Sequence, residues 1–481
     1  MVLAELLQAA GLPAPAAAGG AQVASVVSNS RKAVEGSVFC CIVGGSADGH
    51  DFAAQAVEKG AVCVVAQRDL GLPCQLLVED TRAAYGALCA AFNGFPADRL
   101  KMIAVTGTNG KTTVTTLIKQ VLEYTGAKVG LIGTIQNEIG EVKLPAKFTT
   151  PEPDDLHGLL ANMCRAGCEY AVMEASSQAL DQNRLAGVTF QVGAFTNLSQ
   201  DHLDYHGTLE NYFQAKAKLF SQCRRAVTNI DCPYGRRVPQ LTGIPVLTCS
   251  AQGEADLMAS GICQRADGVS FTLCYRGESC PVDIKMPGLF SVYNVLSVAG
   301  VCLSLGLPLA VVAKGLCHCQ GVYGRAEVLY SGDFTVICDF AHTPDALQNL
   351  LETIKPFVKR RLIVLFGCAG KRDRTKRPKM ANTVADFADL MVISSDNPRD
   401  EDPYVILEDT VAGVRDRGVP YHLEVDRYYA IRWAVDEAGP GDVVVLCGKG
   451  HENYQAIDTC TVYFDEHEIV KRALEERRER P

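Results

Sequence analysis

The sequence predicts an α/β protein of three domains built on mostly parallel sheets, and three observations carry that reading. The chain has 481 residues, enough for about three domains at roughly 100–200 residues each. Short β-branched and Leu-rich runs alternate with helix-length segments, the rhythm of right-handed βαβ units. Turn chemistry breaks that rhythm at Phe92-Asn93-Gly94-Phe95-Pro96 and at Gly321-Val322-Tyr323-Gly324, which gives expected domains 1–98, 99–323 and 324–481.

Taken in order, strands are expected at Ser37–Val43 and Ala61–Val65, with a helix over Asp51–Lys59 between them. After the first break a strand at Met102–Val105 feeds a loop, Thr106–Gly110, and a helix, Lys111–Tyr124. Strands follow at Tyr170–Met173 and Val192–Phe195. The apolar stretch from Val292 to Ala313 carries Asn294, Ser297, Ser304 and Pro308, and reads as a core helix rather than a membrane span. The last third repeats the alternation, with strands at Phe334–Cys338, Leu362–Phe366, Leu390–Ile393 and Val443–Leu446. That is a second doubly wound sheet, whose ligands are expected at the carboxyl ends of its strands.

Composition narrows the class. Hydrophobic residues make up 48% and charged residues 21%, globular values that exclude disordered, collagen-like and coiled-coil chains. A net charge of −9 supplies no global field for nucleic acid or an anionic membrane, and the basic run Arg372–Lys379 has no interleaved aromatics. Neither nucleic acid nor a membrane is therefore an expected partner. The 20 cysteines include no Cys-x-x-Cys pair and several sit in apolar runs such as Val62-Cys63-Val64, so they read as small hydrophobes in a reducing compartment. The start, Met1 to Ala18, is apolar but carries Glu5, Pro13 and Pro15, which leaves a cytoplasmic location as the expectation.

The strongest chemical signal is Val105-Thr106-Gly107-Thr108-Asn109-Gly110-Lys111-Thr112-Thr113. A strand feeds a glycine turn that opens a helix, where backbone N–H groups and the macrodipole favour anions. Lys111 is placed to reach β/γ-phosphates and the Thr112 hydroxyl to hold Mg²⁺. Val105 stands where the general P-loop pattern has its first glycine, so this loop is shorter. ATPases, kinases, transporters and ligases share such loops; the motif gives a nucleotide and no reaction.

Longer stretches are more specific. Gly107–Thr113 resembles the ATP loop of the Mur ligases and folylpolyglutamate synthases, and Phe195-Thr196-Asn197-Leu198-Ser199-Gln200-Asp201-His202-Leu203-Asp204-Tyr205-His206-Gly207 resembles their shared central signature. Asp339-Phe340-Ala341-His342-Thr343-Pro344-Asp345 and Gly448-Lys449-Gly450-His451-Glu452 are similar to C-terminal motifs of the Mur branch that adds the third residue of the peptidoglycan peptide. The matches run in order from about Ser30 to Glu452. The resemblance implies a small N-terminal domain for a UDP-sugar, a central P-loop ATPase-like domain and a C-terminal Rossmann-like domain for the incoming amino acid. It implies amide formation: the γ-phosphate of ATP passes to the D-glutamyl carboxylate of UDP-N-acetylmuramoyl-L-Ala-D-Glu, an amine attacks the acyl phosphate, and phosphate leaves. A monomer is implied as well.

Phosphoryl transfer to a carboxylate brings like charges together, so cations must lie between them. Glu174, at a strand end, is expected to ligate Mg²⁺ through oxygen, with a helix-capping surface carboxylate as the alternative. The resemblance makes Lys111, Glu174, His202 and Lys216 the catalytic set, with Thr112, Glu174, His202 and Lys216 around the metal. Lys216 matches a lysine that CO₂ carbamylates in the family, turning a cation into an anionic oxygen ligand. Composition alone leaves it a solvated helix lysine, and Lys218 is an alternative two residues on. ATP contacts carried over are Gly107, Thr108, Asn109, Gly110, Lys111, Thr112, Thr113, Asn294, Arg325, Asp339 and His342. Asn294 could instead cap a helix start, and Arg325 could form a salt bridge in the domain linker. For the UDP-sugar peptide the match points to Ser30, Gly45, Ser46, Ala47, Thr149, Thr150, Ser177, Gln182 and Arg184, several of them hydroxyls or a guanidinium suited to phosphate and carboxylate oxygens. A solvated surface position is the other reading of Arg184. Gln178 stands where the family often has His.

The amino acid added rests on Asp396-Asn397-Pro398-Arg399. Family members that add meso-diaminopimelate carry this tetrad, whereas lysine-adding members lack the arginine. Diaminopimelate has a second carboxylate, which a guanidinium binds bidentately. An exposed turn is the plain alternative for Pro398 and Arg399. Arg372 would add another carboxylate contact, and Gly448 and Glu452 would hold the far ammonium. The expectation is a diaminopimelate-adding ligase. A lysine-adding ligase, a folylpolyglutamate synthase and a non-catalytic nucleotide-binding regulator are the alternatives; Arg399, the N-terminal UDP unit and the full catalytic set speak against them in turn.

Overall fold

The computed structural model describes residues 1–14, 19–45, 47–265 and 267–479. The α/β class and the dominance of parallel pairing are as the sequence predicts. The chain packs into two compact units, one of residues 1–258, 275–278 and 294–315, the other of residues 259–274, 279–293 and 316–481.

The first unit begins with four parallel strands in sequence order, Ser25–Val27, Ser37–Cys40, Cys63–Ala66 and Gln75–Leu77. Val38, Cys40, Cys63 and Val65 pack with Leu3, Leu6 and Leu88. The second strand stops three residues short of its expected end at Val43, which forms only an isolated bridge to Asp48. Asp48 starts a new turn there, its carboxylate accepting from the His50 N–H at 3.0 Å. The buried cysteines behave as hydrophobes, burial pushing the Cys41 thiol up to about 12, and no disulfide is present among the described residues.

Six parallel strands follow in the order Val246–Ser250, Ala226–Asn229, Val192–Phe195, Lys101–Thr106, Tyr170–Glu174 and Val129–Ile132, edged by antiparallel Gln136–Ile139 and Val142–Pro145. Met102 to Val105 are fully buried, because helices cover both faces of such a sheet and leave no polar side. Pairing of Val105 with Glu174 and of Thr106 with Phe195 sets three strand ends side by side. Helix Lys111–Tyr124 has its expected bounds.

The apolar stretch from Val292 to Ala313 is two helices and not one, Leu289–Ser304 and Leu309–His318. Gly306, at φ 93°, and Pro308 end the first and open the second, since neither suits a helix interior. Asn294 is the sixth residue of the first helix, so it caps no helix start. Among the described residues no helix is long and apolar enough to cross a membrane.

The second unit holds three consecutive neighbouring strands, Leu257–Arg265, Gly268–Tyr275 and Glu278–Ile284, most of whose residues belong to it, and a six-stranded sheet. That sheet runs Glu327–Ser331, Thr335–Asp339, Val443–Cys447, Leu362–Cys368, Leu390–Ser395 and Tyr421–Leu423, and only the first strand is antiparallel to its neighbour. Val364 and Phe366 face Leu347 and Leu351, while Ile363 and Leu365 face Ile431 and Ala434. Behind the strand ends lies Arg427, fully buried. It donates to Glu466 Oε1 at 2.8 Å, the Cys447 carbonyl at 2.8 Å and the Ser395 carbonyl at 3.3 Å, and so ties two strand ends together. Arg427→Met leaves the Glu466 carboxylate buried without its cation, an expected loss of about 3–5 kcal/mol. The single tryptophan, Trp433, lies in the helix that Arg427 itself begins, Arg427–Glu437, so its fluorescence in urea reads this unit. An unchanged midpoint would show that the pair contributes nothing.

Candidate active site

The phosphate loop is made by glycine. Gly107 and Gly110 take φ of 147° and 85°, and a Cβ on either would collide, with the Thr196 hydroxyl and the Asn294 amide respectively. The Lys111 ammonium curls over the loop, donating to the Gly107 and Thr108 carbonyls at 3.0 and 2.8 Å. The segment after Val192–Phe195 clasps the loop from the other side. The Asn197 carbonyl accepts from the Thr108 N–H at 2.9 Å, Asn197 Oδ1 from the Asn109 N–H at 3.0 Å, and the Thr196 hydroxyl donates to the Asn109 carbonyl at 2.7 Å. Sequence reasoning singled out only His202 from this segment and missed its bracing role.

Glu174 ends its strand and is 1% exposed, so it is no surface cap. Its Oε1 accepts from the Thr112 hydroxyl at 3.0 Å and the Thr134 N–H at 2.8 Å, and its Oε2 from the Thr134 hydroxyl at 3.0 Å. A carboxylate flanked by two threonine hydroxyls is a hard-oxygen set, the kind that holds Mg²⁺ together with phosphate oxygens. Thr134 carried no sequence motif and was not foreseen.

Lys216, on helix Leu209–Ala217, is 1% exposed. It donates to the Gly107 carbonyl at 2.8 Å and lies 4.4 Å from the centre of the Tyr212 ring. Burial first, then the charge of Lys111, holds its ammonium well below the ordinary lysine value against the opposing pull of Asp201. It is therefore not a solvated lysine. Lys218 is half exposed and pairs with Asp181 at 2.6 Å. His202 is also half exposed, on left-handed backbone at φ 50°, and meets Asp201 at 3.5 Å and the Tyr212 ring edge-on at 6.0 Å.

Arg184 is largely enclosed. It donates to the Thr150 carbonyl at 3.2 Å and twice to Gln182 Oε1, at 3.1 and 2.8 Å, and pairs with Glu152 at 2.9 Å. The Thr149 hydroxyl lies 3.1 Å from that of Thr134, which joins this group to Glu174. Ser177 Oγ meets His206 Nε2 at 2.9 Å. Ser30 donates to Gln55 at 2.8 Å, and Gly45 and Ala47 are exposed. Ser46 lies outside the described residues.

In the second unit the loop after Thr335–Asp339 gathers another group. Asp339 accepts from the Ala326 and Ala341 N–H groups, each at 2.7 Å, and burial raises its carboxyl above the ordinary value despite Arg325 nearby. The Arg325 guanidinium lies over the Phe340 ring at 4.7 Å, a stacking contact, and among the described residues it forms no salt bridge. His342 is exposed, its Nδ1 2.9 Å from the Phe340 carbonyl. His451 packs on the same ring at 4.7 Å. Burial, helped by Arg325 and His342, holds His451 down to about 4, and burial does the same to His157 in the first unit. Both imidazoles stay neutral in the fold while the unfolded chain protonates them near ~6.5. As pH falls from ~6.5 to ~4 the unfolded state binds more protons, so this contribution to stability is lost over that window. Imidazole NMR should find both residues neutral at pH 5; an inflection near 6.5 in the folded protein would contradict it.

The loops after Leu390–Ser395 and Val443–Cys447 bring the expected amino-acid residues together. Asp396 and Asn397 are buried at 6% and 5% exposure, and the Asn397 amide donates to Glu452 Oε2 at 3.0 Å. Arg399, on left-handed backbone at φ 54°, donates through its N–H to the Ala456 carbonyl at 2.9 Å and through its guanidinium to the Gly370 carbonyl at 2.6 Å. It is not a free exposed turn. A Cβ on Gly370 would collide with the Pro398 carbonyl, so the two loops touch through backbone. Gly448, at φ 118°, opens the loop that carries Glu452; Arg372 is exposed. Sequence reasoning missed Arg377, 1% exposed, which grips Glu401 at 2.7 and 2.8 Å and Asp409 at 2.8 Å. It also passed over Lys449, buried at the centre of this group.

Three family models match the chain: the Mur ligase family catalytic domain at residues 22–92, the Mur ligase middle domain at 105–302 and the Mur ligase glutamate ligase domain at 324–450. A UDP-N-acetylmuramoyl-L-alanyl-D-glutamate–2,6-diaminopimelate ligase of Geobacillus thermodenitrificans is 44% identical over 471 residues, 96% of each chain. A ligase of that name from Clostridium acetobutylicum is 44% identical over 454 residues, 93% of this chain and 94% of its own. The solved structure of another superposes with a TM-score of 0.73 at 33% identity, over 95% of this chain and 96% of that one. Similarity of this degree over nearly the whole length leaves one conclusion: the chain belongs to the Mur ligase family.

Proposed function

We infer that the chain is an ATP-dependent ligase that joins meso-diaminopimelate to the D-glutamyl carboxylate of UDP-N-acetylmuramoyl-L-Ala-D-Glu in peptidoglycan synthesis. The observation that carries this is 44% identity over 96% of the chain to a ligase of that name. The domains are taken as 1–98, 99–323 and 324–481, and the enzyme as a cytoplasmic monomer.

In this reading the backbone N–H groups of Gly107–Thr113 and the Lys111 ammonium hold the phosphates, with Asn294 behind Gly110. Arg184, braced by Gln182, Thr150 and Glu152, holds the acceptor peptide with Thr149 and Ser177, while Ser30, Gly45, Ser46 and Ala47 serve the UDP end. Arg325, Asp339 and His342 are the second unit's nucleotide contacts. Thr112, Glu174, His202 and carbamylated Lys216 hold Mg²⁺, which when bound neutralises phosphate charge. The depressed basicity of Lys216 favours the neutral amine, the form that adds CO₂: its nitrogen bonds to carbon, one proton leaves, and a carbamate anion results. Arg399 and Arg372 bind the extra carboxylate of diaminopimelate, and Asp396, Asn397, Pro398, Gly448 and Glu452 shape the rest of its site.

The deciding experiment is phosphate release from ATP and UDP-N-acetylmuramoyl-L-Ala-D-Glu with meso-diaminopimelate or L-lysine. Release dependent on diaminopimelate is expected. A preference for lysine would keep the ligase and overturn the amino acid, and no release with either would overturn the ligase.

A further inference from the structure

Lys449 is fully buried, at 0% exposure, and its ammonium stands among four acceptors. It donates to the Tyr454 carbonyl at 2.8 Å, Asn397 Oδ1 at 3.1 Å and Glu452 Oε2 at 3.4 Å, with Asp396 Oδ1 also at 3.4 Å. An ammonium has three N–H donors, one fewer than the acceptors around it. Asp396 Oδ1 accordingly keeps an ion pair without a hydrogen bond. A cation is buried this deeply only where its partners match it.

The arrangement has a direction. Asn397 Oδ1 accepts from Lys449 and also from the Ala456 N–H at 2.9 Å. With its oxygen so occupied, the amide turns its N–H₂ to Glu452 Oε2. One oxygen of Glu452 is therefore held by Lys449 and Asn397 together. The other, Oε1, has among the described residues one long contact, with the Tyr454 hydroxyl at 3.5 Å.

We propose that Lys449 is a positioning residue for the incoming amino acid: it fixes the Asn397 amide and Glu452 Oε2, so that Oε1 is presented to the substrate ammonium. The proposal rests on the reading of Glu452 as an ammonium contact in a diaminopimelate-adding ligase. Lys449 also separates two carboxylates, the buried Asp396 and the partly exposed Glu452, which repel each other once the cation is gone. A lysine here thus sets both the aim and the charge of the ammonium side, without touching the substrate.

The test uses the full-length protein and phosphate release, with KM measured separately for diaminopimelate, ATP and the UDP-sugar peptide. Lys449→Met is expected to raise the KM for diaminopimelate roughly tenfold to hundredfold, the range for a lost hydrogen bond to a charged group, and to leave the other two KM values unchanged. Lys449→Gln keeps two N–H donors without the charge; it should fall between wild type and Met, and it carries the test if the Met variant does not fold. A folded Gln variant with wild-type KM for diaminopimelate would overturn the proposal, as would three KM values rising together. Loss of the fold in both variants would make Lys449 purely structural and overturn it too. Wild-type protein without diaminopimelate-dependent release would sink the reading of the site itself, an outcome distinct from active wild type with insensitive variants.

Discussion

Lys216→Ala is expected to lower kcat by roughly 10²–10³-fold, the cost of removing one group that stabilises transition-state charge, with a smaller change in the KM for ATP. The more telling variant is Lys216→Arg. If the side chain worked as a cation beside the phosphate loop, arginine would restore much of the rate. If it works as a carbamate, arginine fails as badly as alanine, because a guanidinium stays protonated and adds no CO₂. The environment favours the second outcome. Lys216 is buried, already faces the cation of Lys111, and is held well below the ordinary lysine value; a second positive charge there gains little. Wild-type rate should also fall in buffer stripped of CO₂ and return with bicarbonate, and isotopically labelled bicarbonate should give one carbonyl NMR signal that Lys216→Ala lacks. Activity in Lys216→Arg near that of wild type would defeat the carbamate.

Elements whose signal is local were legible in the sequence. Helix Lys111–Tyr124 has its predicted bounds because glycine before it and the apolar spacing within it are both near neighbours. The end of Ser37–Cys40 and the split of the stretch from Val292 to Ala313 were misjudged where a local competitor acted, Asp48 in one case and Gly306 with Pro308 in the other. The candidate site divides the same way. Gly107, Lys111 and Thr112 lie in one motif, but the choice between Lys216 and Lys218 depended on which side of the chain meets the Gly107 carbonyl 109 residues away in sequence. Thr134 lies in no motif, and neither the basic run that holds Arg377 nor the motif that holds Lys449 gave the role of either residue. Their partners Glu174, Glu401 and Asn397 lie 40, 24 and 52 residues away in sequence, and such a threonine, arginine or lysine reads as a surface group until folding buries it.

Arg399→Ala should raise the KM for meso-diaminopimelate roughly tenfold to hundredfold while L-lysine, which has no second carboxylate to lose, is used no worse. The ratio between the two substrates is the informative quantity, because Arg399 has a second job that could mimic a binding defect. Its backbone sits at φ 54° and bonds to Ala456, and one guanidinium N–H is committed to the Gly370 carbonyl. A substitution could therefore loosen the loop and weaken every amino acid alike. Arg399→Asn separates the two effects, since asparagine tolerates the left-handed region better than alanine. If the loop were the cause, Asn would recover diaminopimelate binding relative to Ala; if the guanidinium reads the carboxylate, Asn and Ala fail equally. Arg399→Lys should also fail in large part, because an ammonium lacks the planar fork that meets a carboxylate through two parallel bonds while holding Gly370 with a third. A parallel loss for diaminopimelate and lysine in all three variants would make Arg399 a brace of the loop and move the discrimination to Arg372, the other arginine expected at that carboxylate.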